Sequence, residues 1–212
     1  RIPSITGKVI PEAVFSKRNY LNTIYEKIRT DIAKYDPDNV LNPIWVISRG
    51  AIPRFDRGSI EIRIMDIQEC PSADMAIAGL VIETVKALVT EKFIDFDSQT
   101  KWKTDTLAQL LDRTSERAQS VVIDDRDYLN VFGFPGRSAN AADVWRHIAD
   151  RLIRSGNVAI ATGRRELDVI LKEGTLSQRI VKAIGNDQSK ENITAVYRRL
   201  CDCLAQNKMF LP

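Results

Sequence analysis

Four arginines and one glutamate lie close together in the first third of this chain. The segment is Ser48-Arg49-Gly50-Ala51-Ile52-Pro53-Arg54-Phe55-Asp56-Arg57-Gly58-Ser59-Ile60-Glu61-Ile62-Arg63-Ile64-Met65-Asp66. Arg49, Arg54, Arg57 and Arg63 fall within fifteen residues and repel one another unless anions or carboxylates lie between them. The planar arginine fork makes paired hydrogen bonds to phosphate and carboxylate oxygens and keeps its charge. Glu61 adds one oxygen ligand of the kind Mg²⁺ takes. Such parts suit phosphoryl transfer, where catalysis is mostly positioning and charge neutralisation. The same alternation of Glu61 and Arg63 also describes a solvated strand face with a weak ion pair.

The elements that must position these groups follow from periodicity. Ser59 to Ile67 alternates, placing Ile60, Ile62 and Ile64 on one face and Glu61 and Arg63 on the other, about 7 Å apart. Ile44-Trp45-Val46-Ile47 reads as a second, short strand. The connection from Gly50 to Gly58 is longer than a tight hairpin turn, as binding loops often are. Ahead of them, a helix opens near Ser16. Tyr20, Leu21, Ile24, Ile28 and Ile32 recur at three- and four-residue steps, until Tyr35-Asp36-Pro37-Asp38-Asn39 stops it. A helix follows Cys70-Pro71-Ser72, with Ser72 or Asp74 as its expected cap. From Thr104 the pattern is helical: Leu107 to Leu111, Ala141 to Ile153, Leu167 to Leu171, Leu176 to Ile184, and Ile193 to Leu204. The expected fold class is α+β: a small, mainly antiparallel sheet under helices, then a helical C-terminal region. Residues 1–95 and 96–212 are the expected divisions, with a soft boundary near 94–103.

Composition bounds the function classes. The 212 residues are 44% hydrophobic and 28% charged, with a formal net charge of +3, ample for a packed core. Residues 1–100 hold 13 Lys/Arg against 14 Asp/Glu, and residues 101–212 hold 18 against 14. No polybasic arm for nucleic acid or anionic lipid is present. The longest apolar stretch, Met75 to Val89, is interrupted by Glu83 and Lys86 and falls short of the roughly 20 residues a membrane crossing needs. Three cysteines, Cys70, Cys201 and Cys203, predict reduced thiols and a cytoplasmic protein.

Other candidate groups are set aside on the same reasoning. His147 falls on the polar face of the Ala141–Ile153 helix, with Asp143, Arg146, Asp150 and Arg151, and is expected to be solvated. Cys201 and Cys203, two apart on a helix, point about 200° away from each other and cannot share a metal. Cys70 reads as a buried small hydrophobe. Asp124, Asp125 and Asp127 read as a turn or helix-start cluster. Gly133-x-x-Gly136 lacks the Lys-Ser/Thr of a nucleotide loop.

Arg57-Gly58-Ser59-Ile60-Glu61-Ile62-Arg63-Ile64-Met65-Asp66 and the small-residue helix after it resemble the late strand of the glutamine-synthetase-type catalytic fold. The resemblance is to its glutamate–cysteine ligase and carboxylate–amine ligase branch. Ser48-Arg49-Gly50-Ala51 and Ile67-Gln68-Glu69-Cys70-Pro71 share it, and the specific likeness covers residues 44–85. Gly174-Thr175-Leu176-Ser177 and the run Val196 to Leu204 are similar to the C-terminal helices of that branch, less diagnostically. The resemblance implies that ATP phosphorylates a small-molecule carboxylate and an amine displaces phosphate to form an amide. It implies Glu61 as a Mg²⁺ ligand, Arg63 and Arg57 at the transferred phosphoryl group or substrate carboxylate, and Arg54 and Arg49 as auxiliary phosphate contacts. These ligases carry most of their metal-binding glutamates on earlier strands. Here Glu12 and Glu26 fall in a loop and a helix. The expectation is therefore a C-terminal portion of such a ligase, inactive alone, with Arg1 marking a cut within a longer catalytic domain. Two alternatives are a non-catalytic interaction or homo-oligomerisation domain that keeps a ligase-like strand, and a phosphagen-kinase-like phosphotransferase.

Overall fold

The computed structural model describes residues 2–212. They are mostly helical, with two small antiparallel sheets, an α+β fold. The chain forms two compact units, the first running through Asp66 and including Trp102–Gln109, the second comprising Ile67–Lys101 and Leu110–Pro212.

In the first unit a short helix, α1 (Pro3–Thr6), precedes a helical rod. Ser16 caps the rod by accepting from Asn19 N–H at 3.2 Å. Three segments then run on without a break: α2 (Lys17–Tyr20), a π-helical turn (Leu21–Tyr25) and α3 (Glu26–Ile32). Tyr20, Ile24, Ile28 and Ile32 are buried at four-residue steps and pack with Ile5, Ile47 and Ile52. Each fully buried isoleucine contributes about 1.5–3 kcal/mol.

Ile44–Ile47 is not a strand: α4 (Pro43–Val46) occupies it. Asn42 accepts from Ile44 N–H at 2.9 Å and Pro43 stands at the first helical position. That start signal outweighs the strand preference of the apolar run. The hairpin is β1 (Ala51–Arg54) and β2 (Ser59–Ile62), antiparallel, with Ile52 opposite Glu61 and Arg54 opposite Ser59. The strand therefore ends five residues earlier than its alternation predicts, although Arg63 N–H still donates to Gly50 O at 2.8 Å. Directly opposed side chains share a face. Buried Ile52 thus lies on the face of Glu61 and Arg54, while Ile60 and Ile64 are 62% and 53% exposed.

The second unit is built on α5 (Pro71–Val89). Its N-cap is Cys70, without a side-chain cap; Pro71 starts the helix, and Asp74 accepts from Gln68 N–H at 2.9 Å instead. Four elements follow: α6 (Phe96–Thr100), α7 (Thr104–Arg117), which spans the division between units, a two-residue strand β3 (Val122–Ile123), and α8 (Arg126–Val131). Strand β4 (Ala139–Asn140) pairs with β3, and α9 (Ala141–Arg154), α10 (Val158–Thr162) and α11 (Arg164–Glu173) pack on α5. Ala76, Leu80, Leu129, Ile148, Ile160 and Leu167 form this core. Asn157 ties α10 to α5, accepting from Ile160 N–H at 3.0 Å and donating to Glu83 at 2.6 Å.

Helices α12 (Leu176–Ile184) and α13 (Lys190–Gln206) complete the unit. Arg179 and Glu69 form a fully buried ion pair. Arg179 also donates to Phe210 O at 2.7 Å and Gly174 O at 3.0 Å, and Phe210 N–H donates to Glu69 at 2.9 Å. His147 is half-buried, not solvated: its Nε2 lies 3.1 Å from Phe132 O, which also accepts from Arg151. No helix among the described residues is long and apolar enough to cross a membrane.

Candidate functional site

The hairpin gathers four of the five expected residues. Arg54 ends β1, Arg57 sits in the loop, and Glu61 and Arg63 lie on and just beyond β2. Glu61 accepts from Arg54 Nη1 at 2.6 Å and from Arg63 Nε at 2.7 Å, one arginine to each oxygen. Arg63 completes its hydrogen bonding on the backbone, donating to Ile47 O at 2.6 Å and Ile44 O at 3.2 Å. It thereby fixes the last turn of α4 to the strand. Arg54 closes its other edge on Asp56, with Nε to Oδ1 at 3.1 Å and Nη2 to Oδ2 at 2.9 Å. Arg57 is 69% exposed, its Nε 3.6 Å from Asp56.

This group of five holds three cations and two carboxylates, and its net charge of +1 favours anions. The Arg54 guanidinium, then Arg63, hold the Glu61 carboxyl below its usual range, and Arg54 does the same for Asp56. Arg54 is itself raised by the two carboxylates.

Arg49 stands apart. It is 3% exposed, and Nε and Nη2 donate to Glu12 at 2.6 and 2.5 Å. The Arg49 guanidinium holds the Glu12 carboxyl below its usual range. Gly7, at φ +75°, presses on that guanidinium; a Cβ there would lie 2.5 Å from Arg49 Cζ. Arg49 Nη1 is buried with no hydrogen-bond partner, as are the hydroxyls of Tyr20 and Tyr25, whose rings meet edge to face at 5.4 Å. Burial pushes the Tyr20 hydroxyl up to about 12. Glu12 lies in a loop as expected, but neither its pairing with Arg49 nor that of Arg179 with Glu69 has a local signature in the sequence. Only Asp56, two residues from Arg54, carried a local signal.

The arginines fit phosphate, because Arg57 is exposed and the group is cationic. A divalent cation fits less well. Glu61 is the one carboxylate expected to ligate it, both its oxygens already accept from arginine, and no group of three or more metal-ligating side chains occurs among the described residues.

Comparison with known proteins gives a family and a relative. Glutamate-cysteine ligase family 2 matches residues 2–199. An uncharacterized protein of Archaeoglobus fulgidus is 28% identical over 222 residues, which cover 99% of this chain and 49% of that protein. The chain thus spans about half the length of this curated relative. No solved structure matches.

Proposed function

The chain belongs to Glutamate-cysteine ligase family 2, and on that premise we propose that it is the C-terminal portion of an ATP-dependent carboxylate–amine ligase. In the proposed reaction a substrate carboxylate oxygen attacks the terminal phosphorus of ATP, releasing ADP and leaving an acyl phosphate. The amine then attacks the acyl carbon, phosphate leaves, and the nitrogen's proton is lost as the amide forms. Both the carboxylate and the amine are small molecules in this reading.

The observation that carries it is the ion chain Arg54–Glu61–Arg63 beside exposed Arg57. Arg57 is the group free to reach phosphate oxygens. Glu61 holds Arg63 and Arg54 in fixed orientation, so their charge is positioned before an anion arrives. Removing such a preorganised donor commonly costs about 3–4 kcal/mol of transition-state stabilisation. Arg49, buried and paired with Glu12, stands apart from this group and makes no part of the proposed phosphate contact. Mg²⁺ accompanies ATP in this chemistry, but the donors here do not hold it by themselves. A complete metal site needs carboxylates beyond those described.

Two observations support a partial catalytic unit. The matched relative is about twice as long. The outer edge of β2 pairs with no strand among the described residues and bears exposed Ile60, the kind of edge that further strands cover. The free thiols Cys70, Cys201 and Cys203 support a cytoplasmic setting.

Calorimetric titration of ATP, with and without Mg²⁺, tests the reading. Binding weakened about tenfold or more by Arg57→Ala, and also weakened by Arg63→Ala, is the expected result. No binding, or binding indifferent to both substitutions, overturns it. With the full-length protein, an assay for amide against phosphorylated guanidine separates a ligase from a phosphagen-kinase-like enzyme.

A further inference from the structure

Asp56 occupies Arg54 in the way a phosphate group would. Its two oxygens meet Nε and Nη2 of one guanidinium at 3.1 and 2.9 Å. This is the paired geometry by which arginine grips phosphate. The third donor of Arg54, Nη1, is turned to Glu61. The guanidinium therefore has an inner edge committed to the hairpin and an outer edge covered only by Asp56. Arg54 itself is 14% exposed, whereas Asp56 is 51% exposed and sits on the loop side.

Nothing else holds that carboxylate strongly. Arg57, its other neighbour, is 3.6 Å away and more exposed still. The loop has room to move: Gly58, at φ +61°, has no heavy atom within 4 Å of where a Cβ would stand. Asp56 is half exposed, so solvent screens its side of the pair, and a polyphosphate brings more charge to the same fork.

We propose that Asp56 is a built-in substitute anion, which fills the outer edge of Arg54 until a phosphate group of a nucleotide displaces it. The inference rests on the reading of the arginine loop as a phosphate site. Displacement leaves the Arg54–Glu61–Arg63 chain intact and frees both Arg54 and Arg57 for the incoming oxygens. Asp56 thereby sets the affinity threshold of the site and rejects weakly charged anions.

The test is calorimetric titration of the whole chain with inorganic pyrophosphate and with ATP, both without metal. When the fork is occupied most of the time, the apparent Kd is raised by the inverse of its free fraction. Asp56→Asn is expected to tighten both probes about three- to sixfold. Asp38→Asn, the same charge change at an exposed position of the same unit, changes them less than about twofold by long-range charge alone. In an Arg54→Ala background the gain from Asp56→Asn disappears. A gain equal to that of Asp38→Asn, or one that survives Arg54→Ala, overturns the inference while leaving the phosphate site standing. Failure of every form to bind either probe overturns the phosphate site and the inference together.

Discussion

Replacing Arg179 with methionine should convert the best-buried charge in the second unit into its worst liability. Arg179 and Glu69 are both fully buried, and the pair is closed by Phe210 N–H, Phe210 O and Gly174 O. Methionine fills much of the space but leaves the Glu69 carboxylate with backbone N–H donors and no countercharge. Removing one partner of a buried pair costs about 3–5 kcal/mol, a large share of the roughly 5–15 kcal/mol of a typical domain. The pH dependence identifies the cause. Burial pushes the Glu69 carboxyl up, but Arg179 and the Phe210 N–H outweigh it and hold it below its usual value of 4.5. In the native protein this stabilisation is present above the unfolded pKa and is lost as pH falls through the lower folded value. In Arg179→Met burial acts with little opposition, so the folded pKa rises above the unfolded one and stability increases as pH falls. The deficit against the native protein should shrink between pH 7 and pH 5, by at most about 1.4 kcal/mol per unit. Urea unfolding followed by circular dichroism at several pH values reads both effects. Glu69→Gln combined with Arg179→Met should recover much of the loss, because no charge then remains buried. A cost below about 1 kcal/mol with an unchanged pH profile would refute the argument.

Three further outcomes follow from the geometry. Gly7→Ala places a Cβ against Arg49 at an unfavourable φ and should cost about 1–3 kcal/mol; an unchanged melting temperature contradicts it. The Glu61 carboxyl should titrate below 4.5 by carbon NMR and move upward in Arg54→Ala, since Arg54 is the first cause of its depression. Its contribution to stability is accordingly present above the unfolded pKa and fades as pH drops through the folded one. Asn157→Ala removes both the α10 cap and the bond to Glu83, and should cost about 1–2 kcal/mol in chemical unfolding; a loss of a few tenths would show the cap to be idle.

What could be read from the chain alone was what repeats locally. Ser16 and the four-residue steps after it mark the first helix, and α12 has the expected bounds, Leu176–Ile184. The alternation around Glu61 correctly separated it from the isoleucines. It could not show which face is covered, since Ile52, on the opposing strand, decides that. The Ile44–Ile47 run misled because its β-branched residues hid the stronger signal of Asn42-Pro43 just before it. Arg179 and Glu69 are 110 residues apart, and no period connects such a pair. Arg49 looked like its neighbours in sequence, yet Glu12, 37 residues earlier, draws it into the interior.

The π-helical turn Leu21–Tyr25 has an evolutionary consequence. In a regular α-helix, residues five apart point about 140° away from each other. The wider turn instead brings Tyr20 and Tyr25 together, edge to face. Such a turn is in effect one extra residue lodged in a helix. Point substitutions within it leave the backbone path intact. Deleting any single residue between Tyr20 and Tyr25 would restore the ordinary helix with the two tyrosines four apart and still on one face. Everything before the turn would then keep step with Ile28 and Ile32. Relatives of this chain should therefore tolerate the loss of one residue here more readily than elsewhere in the same helix.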